Sequence, residues 1–269
     1  MLEPKRLQDG LLAPLEELTL AMRARHLVEF LTIATALVLL GLICLTWTLL
    51  ALPLLWLLPP AAGLRAGRLG IFIGFRFYVW SIGVLGAYRL DLAALRALRD
   101  APAMVLAPNH PSIIDALLII AHEPRVACVM KSSLMNNVFL GAGARLARYI
   151  RHDSPRRMIH EAVAELRRGG IVLLFPEGTR TVRGPLNGVS RSVGVIARHA
   201  NVPVQTLLIE TDSGFLGKGC PLWARPSLPI GYRMRLGRRF DPPQDPAAFQ
   251  QELERYYRSE LQPGSSSCR

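Results

Sequence analysis

The sequence contains few cysteines and few charged residues. Its four cysteines, Cys44, Cys128, Cys220 and Cys268, are scattered, and no two of them have the spacing of a zinc site. We therefore expect neither a disulfide framework nor a structural zinc, as is typical of a protein in a reducing compartment. Charged residues make up only 19% of the chain, against 51% hydrophobic residues. Part of the protein is therefore predicted to lie out of contact with water.

Several signatures of nucleotide and hydrolase chemistry are also missing. The chain has no phosphate-binding loop of the Walker type and no Gly-x-Ser-x-Gly elbow for a serine nucleophile. The GAGARL run at 141–146 lacks the third glycine of a dinucleotide fingerprint. The histidines at 122, 152, 160 and 199 do not have metal-ligand spacing. We therefore expect no bound cofactor and no metal ion.

A long uncharged run near the N-terminus predicts contact with a membrane. No residue from Phe30 to Leu64 is charged, and the stretch from Phe30 to Leu52 is long enough to cross a hydrocarbon layer about 30 Å thick. A cleaved signal peptide fits poorly, because the basic segment before the run is long and no small-residue cleavage site precedes the next charged region. Trp47 and Trp56 are expected near a membrane interface.

The way in which this run meets the membrane stays open. Basic residues lie before it at 5, 6, 23 and 25 and after it at 65 and 68, so their distribution gives no orientation. A true span and a hairpin that turns at Pro53 both fit. A second apolar stretch, 70–88, holds Arg76 in its middle, which predicts an interfacial helix rather than another span. We divide the chain into an N-terminal membrane anchor at 1–68, a folded domain at 69–263 and a disordered tail at 264–269.

Strands alternate with helices in the folded domain. Short apolar runs predict buried strands at 104–107, 126–130, 171–175 and 204–209. Helices are predicted from Ser154-Pro155 to Gly169, over the apolar positions between Val189 and Ala200, and from Asp245-Pro246 onward. This alternation predicts an α/β fold in which helices cover both faces of one sheet, preceded by a membrane-embedded helical segment.

The net charge of +12 indicates an anionic partner, which could be nucleic acid, a lipid headgroup or a phosphorylated substrate. Nucleic acid would account for the charge but not for the apolar run. The basic segment also lacks the interleaved aromatic residues that stack on bases. We therefore expect a membrane lipid or a phosphate-bearing substrate and no nucleic acid.

A histidine and an aspartate lie where α/β sheets place functional groups. His110 follows the strand at 104–107, in the loop beyond the strand's carboxyl end. Pro111 favours the start of a helix, and Asp115 in the first turns of that helix can reach back to one ring nitrogen of His110. The other nitrogen would be free to take a proton from an attacking hydroxyl, without a protein nucleophile. The alternative is that His110 only caps the helix and Asp115 completes the cap.

The FPEGTR run at 175–180 directly follows the apolar strand at 171–174. On its own it fits a turn with a surface ion pair between Glu177 and Arg180. A planar guanidinium also suits bidentate phosphate binding, and a carboxylate can accept from a hydroxyl or fix a neighbouring arginine. Gly178 would let the backbone approach a ligand closely. The run therefore predicts a binding site for a phosphate and a hydroxyl at a strand end.

Four short blocks, in this order, resemble the glycerophospholipid acyltransferase family, of the lysophosphatidate acyltransferase type (1-acylglycerol-3-phosphate O-acyltransferases). They are His110 with Asp115, Gly143 with Arg151, FPEGTR at 175–180 and the Val-Pro-Val run at 202–204. The resemblance covers residues 76–209. Its first and third blocks are highly specific together.

The resemblance implies a membrane-bound O-acyltransferase that moves a fatty acyl group from acyl-CoA or acyl carrier protein to 1-acylglycerol-3-phosphate, giving phosphatidate. His110 would be the general base and Asp115 its orienting partner. It further implies a bacterial inner-membrane location with the acyltransferase domain, 69–263, on the cytoplasmic side. The residues implied in acceptor binding are Arg151, Glu177, Gly178, Thr179 and Arg180.

The chain also departs from the family pattern. Many members continue the third block with serine and a later Phe-Lys-Lys-Gly-like run, whereas this chain has Thr181 and GVSRSVG at 188–194. The departure leaves room for another hydroxylated acceptor, such as an ornithine lipid precursor. A catalytically silent membrane protein that binds lipid is the remaining alternative.

Overall fold

The computed structural model describes residues 5–182 and 184–261, with side chains from residue 22 onward. The tail predicted at 264–269 lies outside the described residues. Within them, apolar runs pair into a seven-stranded sheet with the order β1-β7-β6-β2-β5-β3-β4. The strands are β1 (Tyr88–Asp91), β2 (Met104–Pro108), β3 (Val126–Lys131), β4 (Ile150–His152), β5 (Ile171–Leu173), β6 (Val204–Thr211) and β7 (Ile230–Phe240).

The sheet is mixed, with its parallel part at the centre. β2 pairs in parallel with both β5 and β6, and β3 and β4 continue the parallel arrangement. β7 runs antiparallel to β6, and β1 pairs in parallel with β7. Because β2 has a parallel neighbour on either side, its carboxyl end opens into the crevice where α/β sheets bind their ligands.

Helices cover both faces of this sheet, as predicted. The helices are α1 (Lys5–Leu57), α2 (Pro60–Val84), α3 (Asp115–Ile120), α4 (Ser132–Met135), α5 (Gly141–Leu146), α6 (Pro155–Arg167), α7 (Ser192–Ala200) and α8 (Pro246–Glu260), with a 3₁₀ helix at Ala93–Leu98. Along β2, Met104 and Leu106 contribute to one buried core, and Val105 and Ala107 to the other. This period of two lets one strand serve two cores. The first core contains residues of α1, α2 and α3, and the second contains residues of α6, α7 and α8.

The local signals used to predict these elements act as expected. α6 begins at Pro155, directly after Ser154, and Gly169 beyond its end has a positive φ of 86°. The side chain of Asp245 accepts a hydrogen bond from the amide of Ala247 at 2.8 Å, which caps α8. The four predicted strands and these helices are confirmed, with ends shifted by a few residues. Strands β1, β4 and β7 were not predicted.

The N-terminal apolar run forms one arm of a helical hairpin. α1 continues through Pro53 to Leu57, and the chain reverses at Leu58 and Pro59, so a turn at Pro53 is wrong. The helix predicted at 70–88 is the later part of α2, which begins at Pro60 and ends at Val84. Tyr88 instead begins β1, because it pairs with Ile230 of β7. Among the described residues, one helical segment, Met22–Leu57, passes the length and composition test for crossing a membrane.

Small residues let this hairpin pack closely against the sheet domain. The ring of Trp47, on α1, fills the space that a Cβ would need at both Gly70 on α2 and Gly143 on α5. Arg68, also on α2, donates to Glu165 at 2.8 Å and to the backbone carbonyls of Ala147 and Arg125. The boundary that we predict after residue 68, between anchor and folded domain, therefore lies inside α2. This helix is hydrogen-bonded to the folded domain through Arg68. Trp47 packs between helices, whereas the Trp56 side chain is 90% exposed.

Candidate active site

The loop after β2 is held in place by hydrogen bonds from three distant parts of the chain. The side-chain amide of Asn109 donates to the carbonyl of Ile209 at 2.9 Å and accepts from its backbone amide at 2.7 Å. The hydroxyl of Tyr257, on α8, donates to the carbonyl of Ala107. The amide of Thr181 donates to the carbonyl of His110 at 2.7 Å. These bonds fix the backbone on both sides of His110 before any ligand binds.

The His110 and Asp115 side chains make the contact that their spacing predicts. Nδ1 of His110 lies 2.8 Å from Oδ2 of Asp115, the first residue of α3. Asp115 is fully buried, while the His110 side chain is 16% exposed. Because a carboxylate only accepts, the proton of this bond is on Nδ1, which leaves Nε2 with its lone pair at the exposed side of the ring. That arrangement is suited to taking a proton from a bound hydroxyl.

Asp115 has two further hydrogen-bond donors. The backbone amide of Ser112 donates to Oδ2 at 2.9 Å, and the hydroxyl of Tyr232 donates to Oδ1 at 2.6 Å. Burial, together with the charge of Asp115, raises the pKa of Tyr232 well above its usual value, so the hydroxyl stays protonated. Sequence reasoning missed Tyr232, which lies on β7, far along the chain from Asp115.

The aromatic ring of the first residue of the FPEGTR turn supports the imidazole. Phe175 stacks on His110 with ring centroids 3.8 Å apart and ring planes 21° apart. A stacked ring opposes tilting of the imidazole out of its plane, and the hydrogen bond to Asp115 opposes rotation within that plane. Ser112, the nearest serine in sequence, points its hydroxyl at the carbonyl of Phe215 at 3.4 Å. The histidine is therefore oriented by its neighbours without being paired to that serine.

Glu177 holds the FPEGTR turn against the histidine loop. Its carboxylate accepts from the amides of His110 at 3.0 Å and Asn187 at 2.8 Å, and the Thr181 hydroxyl lies 2.8 Å and 2.9 Å from its two oxygens. No arginine among the described residues pairs with it. Burial raises the pKa of Glu177, and these three hydrogen bonds oppose that shift. The carboxylate joins two loops, and Thr181 supplies one of its donors.

Arg180 binds a third loop. Its Nη1 donates to the carbonyls of Leu216 at 2.8 Å and Gly217 at 3.0 Å. Both residues belong to the segment 212–229 between β6 and β7, which we call the 212–229 loop. The backbone amide of Ile113 also donates a hydrogen bond to the carbonyl of Leu216, at 3.2 Å. Nε and Nη2 of Arg180 make no hydrogen bond to a described residue.

The remaining predicted site residues differ in how near they come to His110. Gly178 has a positive φ of 64°, and a Cβ placed there would have no atom within 4 Å. Its backbone conformation, rather than the close approach of another group, therefore requires glycine. Thr179 is partly exposed in the same turn. Arg151 lies on β4, three strands from β2 and thus about 14 Å away across the sheet. Its guanidinium lies 3.5 Å from both Asp153 and Asn136, so the structure does not bring it to His110.

Comparison with known proteins gives the family context of this arrangement. A family model described as Acyltransferase matches residues 89–210, which contain His110, Asp115 and the FPEGTR turn. The 1-acyl-sn-glycerol-3-phosphate acyltransferase of Pseudomonas aeruginosa is 27% identical over 135 residues, which are 48% of this chain and 52% of that protein. The chain thus matches about half the length of this curated relative.

A solved structure has the same fold. The crystal structure of the 1-acyl-sn-glycerophosphate acyltransferase of Thermotoga maritima superposes with a TM-score of 0.63 at 17% identity. The superposition covers 88% of this chain and 95% of the other. At this identity the likeness concerns the fold, including the helices that cover the sheet.

Replacing Tyr232 by phenylalanine tests whether its hydroxyl matters to Asp115. The substitution keeps the buried ring but leaves Oδ1 of Asp115 without this donor, in a place that water does not reach. We expect the free energy of unfolding to fall by about 1–3 kcal/mol. Denaturant unfolding of the purified protein in detergent micelles measures this change.

Tyr88→Phe is the matched control, because Tyr88 packs edge-on against Tyr232 at 6.2 Å without bonding Asp115. In an Asp115→Ala background, Tyr232→Phe should have little effect, giving a coupling energy of roughly 0.5–3 kcal/mol. Equal losses with and without the Asp115 carboxylate would show that the two side chains do not act together.

Proposed function

We propose that the chain is a member of the glycerophospholipid acyltransferase family and acts on a lysophospholipid as a membrane-bound O-acyltransferase; the matched Acyltransferase model and the shared fold support this proposal. The fatty acyl group comes from acyl-CoA or acyl carrier protein. The acceptor that fits best is 1-acylglycerol-3-phosphate, which would give phosphatidate. The observation that carries this proposal is a histidine whose Nδ1 is held by a buried, doubly supported carboxylate while Nε2 faces the open side.

The chemistry then proceeds by direct transfer. Nε2 of His110 accepts the proton of the acceptor hydroxyl as the oxygen attacks the thioester carbonyl. The positive charge that forms on the imidazole is stabilised by Asp115, which accepts from Nδ1 throughout. The carbon–sulfur bond breaks, and the leaving thiolate takes the proton from His110. One ester forms, one thioester is consumed, and the histidine returns to its starting state.

Arg180 is the arginine best placed to bind the acceptor phosphate. Two backbone carbonyls hold its Nη1, which fixes the plane of the guanidinium near the FPEGTR turn. Nε and Nη2 then remain as a pair of donors for a phosphate. Arg151, at the edge strand β4, would reach only a more distant part of a substrate. Thr181 keeps a hydroxyl on Glu177 where many family members have serine, so this departure does not count against the acceptor.

We propose that the protein associates with a membrane through exposed apolar side chains of the hairpin formed by α1 and α2. α1 packs against α2 and α5, and Ile33, Ala36 and Ala51 on this side of the helix are buried. The opposite side is apolar and exposed, for example at Leu42, Leu49, Leu50 and Trp56 of α1 and Ile73, Phe77 and Trp80 of α2. We call this the hairpin surface. A helix attached lengthwise to a catalytic domain fits one leaflet better than a perpendicular span. We propose the cytoplasmic leaflet of a bacterial inner membrane.

The test of the proposed activity is acyl transfer by the purified full-length protein. His110→Ala should lower turnover at least about a hundredfold, because a general base contributes roughly 10²–10⁴-fold. Radiolabelled acyl-CoA or acyl carrier protein with lysophosphatidate measures it. His160→Ala is the control, since His160 is exposed on α6 and makes none of the site contacts. Retention of more than about a tenth of the activity by His110→Ala would rule out the general-base role.

Arg180→Ala distinguishes phosphate binding from support of the 212–229 loop. A guanidinium–phosphate contact contributes through hydrogen bonds worth about 1.5–3 kcal/mol, so kcat/KM on lysophosphatidate should fall roughly 10- to 150-fold. On a monoacylglycerol of the same chain length the loss should be much smaller, because it has no phosphate. Arg180→Lys should recover only part of the activity.

The control for this comparison is Arg156→Ala, which removes an exposed arginine of α6. It should leave kcat/KM on both acceptors close to that of the unmodified protein. An equal loss on both acceptors in Arg180→Ala would mean that Arg180 acts only through the carbonyls of Leu216 and Gly217.

A further inference from the structure

The 212–229 loop has a firmly held base and an exposed apolar tip. Phe215 and Leu216 are buried in the core, and Ala224 and Leu228 pack against it. Between them, Leu222 is 60% exposed and Trp223 is 77% exposed. Adjacent large apolar side chains that are exposed to water often mark a contact site. We therefore expect the tip to contact a partner.

The position of the loop indicates what that partner is. The guanidinium of Arg225 lies over the ring of Phe30 on α1, 5.9 Å from its centroid. Glu29, the residue before Phe30, is buried, and the nearby backbone of Leu228 helps to lower the pKa of its carboxyl. Phe30 is itself partly exposed and begins the apolar half of α1. The loop is thus attached to α1, the same helix that carries part of the hairpin surface, so a bilayer that covers the hairpin surface is the partner nearest to the tip.

The same loop is bonded to the catalytic segment. The carbonyl of Leu216 accepts from the amide of Ile113 and from Arg180, and the carbonyl of Phe215 accepts from the hydroxyl of Ser112. Leu216 adopts a positive φ of 59°, an uncommon conformation for leucine. The 212–229 loop therefore connects its own apolar tip to the residues around His110.

We propose that the tip of the 212–229 loop is a second membrane contact, in which Leu222 and Trp223 enter the interfacial layer of the bilayer beside the hairpin surface. Tryptophan is enriched at that depth, and the nearby Lys218 and Arg225 suit the phosphates of anionic lipids. The inference rests on the proposed membrane association. It adds a specific role: contact at the tip places the bilayer surface beside the loop that binds Arg180, where an acceptor leaving the bilayer must arrive.

Tryptophan fluorescence tests the contact without relying on activity. The full-length protein and its Trp223→Phe variant are reconstituted into vesicles of phosphatidylethanolamine and phosphatidylglycerol, and the difference between their emission spectra isolates Trp223. We expect this difference spectrum to lie at shorter wavelength than the emission of tryptophan in water and to be quenched by lipids brominated close to the headgroup. A difference spectrum that is unshifted and unquenched in vesicle-bound protein would overturn the inference.

A kinetic comparison tests the consequence for the site. Trp223→Ser should raise KM for a long-chain lysophosphatidate presented in vesicles by about tenfold, because interfacial burial of a large apolar side chain is lost. With a short-chain, monomerically soluble lysophosphatidate, kcat and KM should stay near the unmodified values. An equal rise in KM for both acceptors would show that Trp223 supports the loop and does not contact the bilayer.

The outcomes separate this inference from the proposed function. Quenching of Trp223 in a protein that transfers no acyl group would leave the membrane contact standing and refute the activity. Acyl transfer without quenching of Trp223 would leave the proposed activity standing and refute the membrane contact. If sedimentation shows that the protein does not bind vesicles at all, both the membrane association and the loop contact are refuted.

Discussion

The buried carboxylate of Asp115 is the group on which the rest of the site depends. An ionised carboxylate removed from water is tolerated only when hydrogen bonds replace its hydration. Here the donors come from the histidine loop, the start of α3 and strand β7, through His110, Ser112 and Tyr232. The loop after β2 and the antiparallel end of the sheet must therefore both be in place before the histidine is oriented. Stability of this part of the fold and readiness for proton transfer have the same physical origin.

A second buried carboxylate organises the other half of the site. Glu177 is the point where the histidine loop, the FPEGTR turn and the segment that contains Asn187 meet. Its carboxylate oxygens already accept hydrogen bonds from within the protein, whereas sequence reasoning assigns them to a substrate hydroxyl or to an arginine. These bonds tie the turn to its neighbours, and Arg180, which is partly exposed in the same turn, is held by the 212–229 loop. An acidic residue in such a motif can act on the substrate indirectly, by positioning its neighbours.

The sequence predicts the elements whose signals are local. Apolar runs reveal β2, β3, β5 and β6, and the spacing of His110 and Asp115 correctly predicts their contact because one short turn joins them. β7 escapes prediction because four arginines interrupt its apolar alternation, although the buried positions at 230, 232 and 234 keep a period of two. Tyr232 and the binding of Arg180 by the 212–229 loop depend on pairings between distant segments. The helix that continues through Pro53 is also set by packing, since the proline by itself would favour a break.

The central claim is that His110 activates the acceptor for direct attack on the thioester, with no acyl group held by the protein. Initial rates measured while donor and acceptor are both varied test this claim most directly. Direct transfer requires both substrates to be bound together, so the account predicts double-reciprocal plots that intersect and no acyl group on the intact protein after incubation with donor alone. Parallel plots, with a covalent acyl-protein detected by mass spectrometry, would be the ping-pong pattern of a nucleophilic enzyme and would contradict the account.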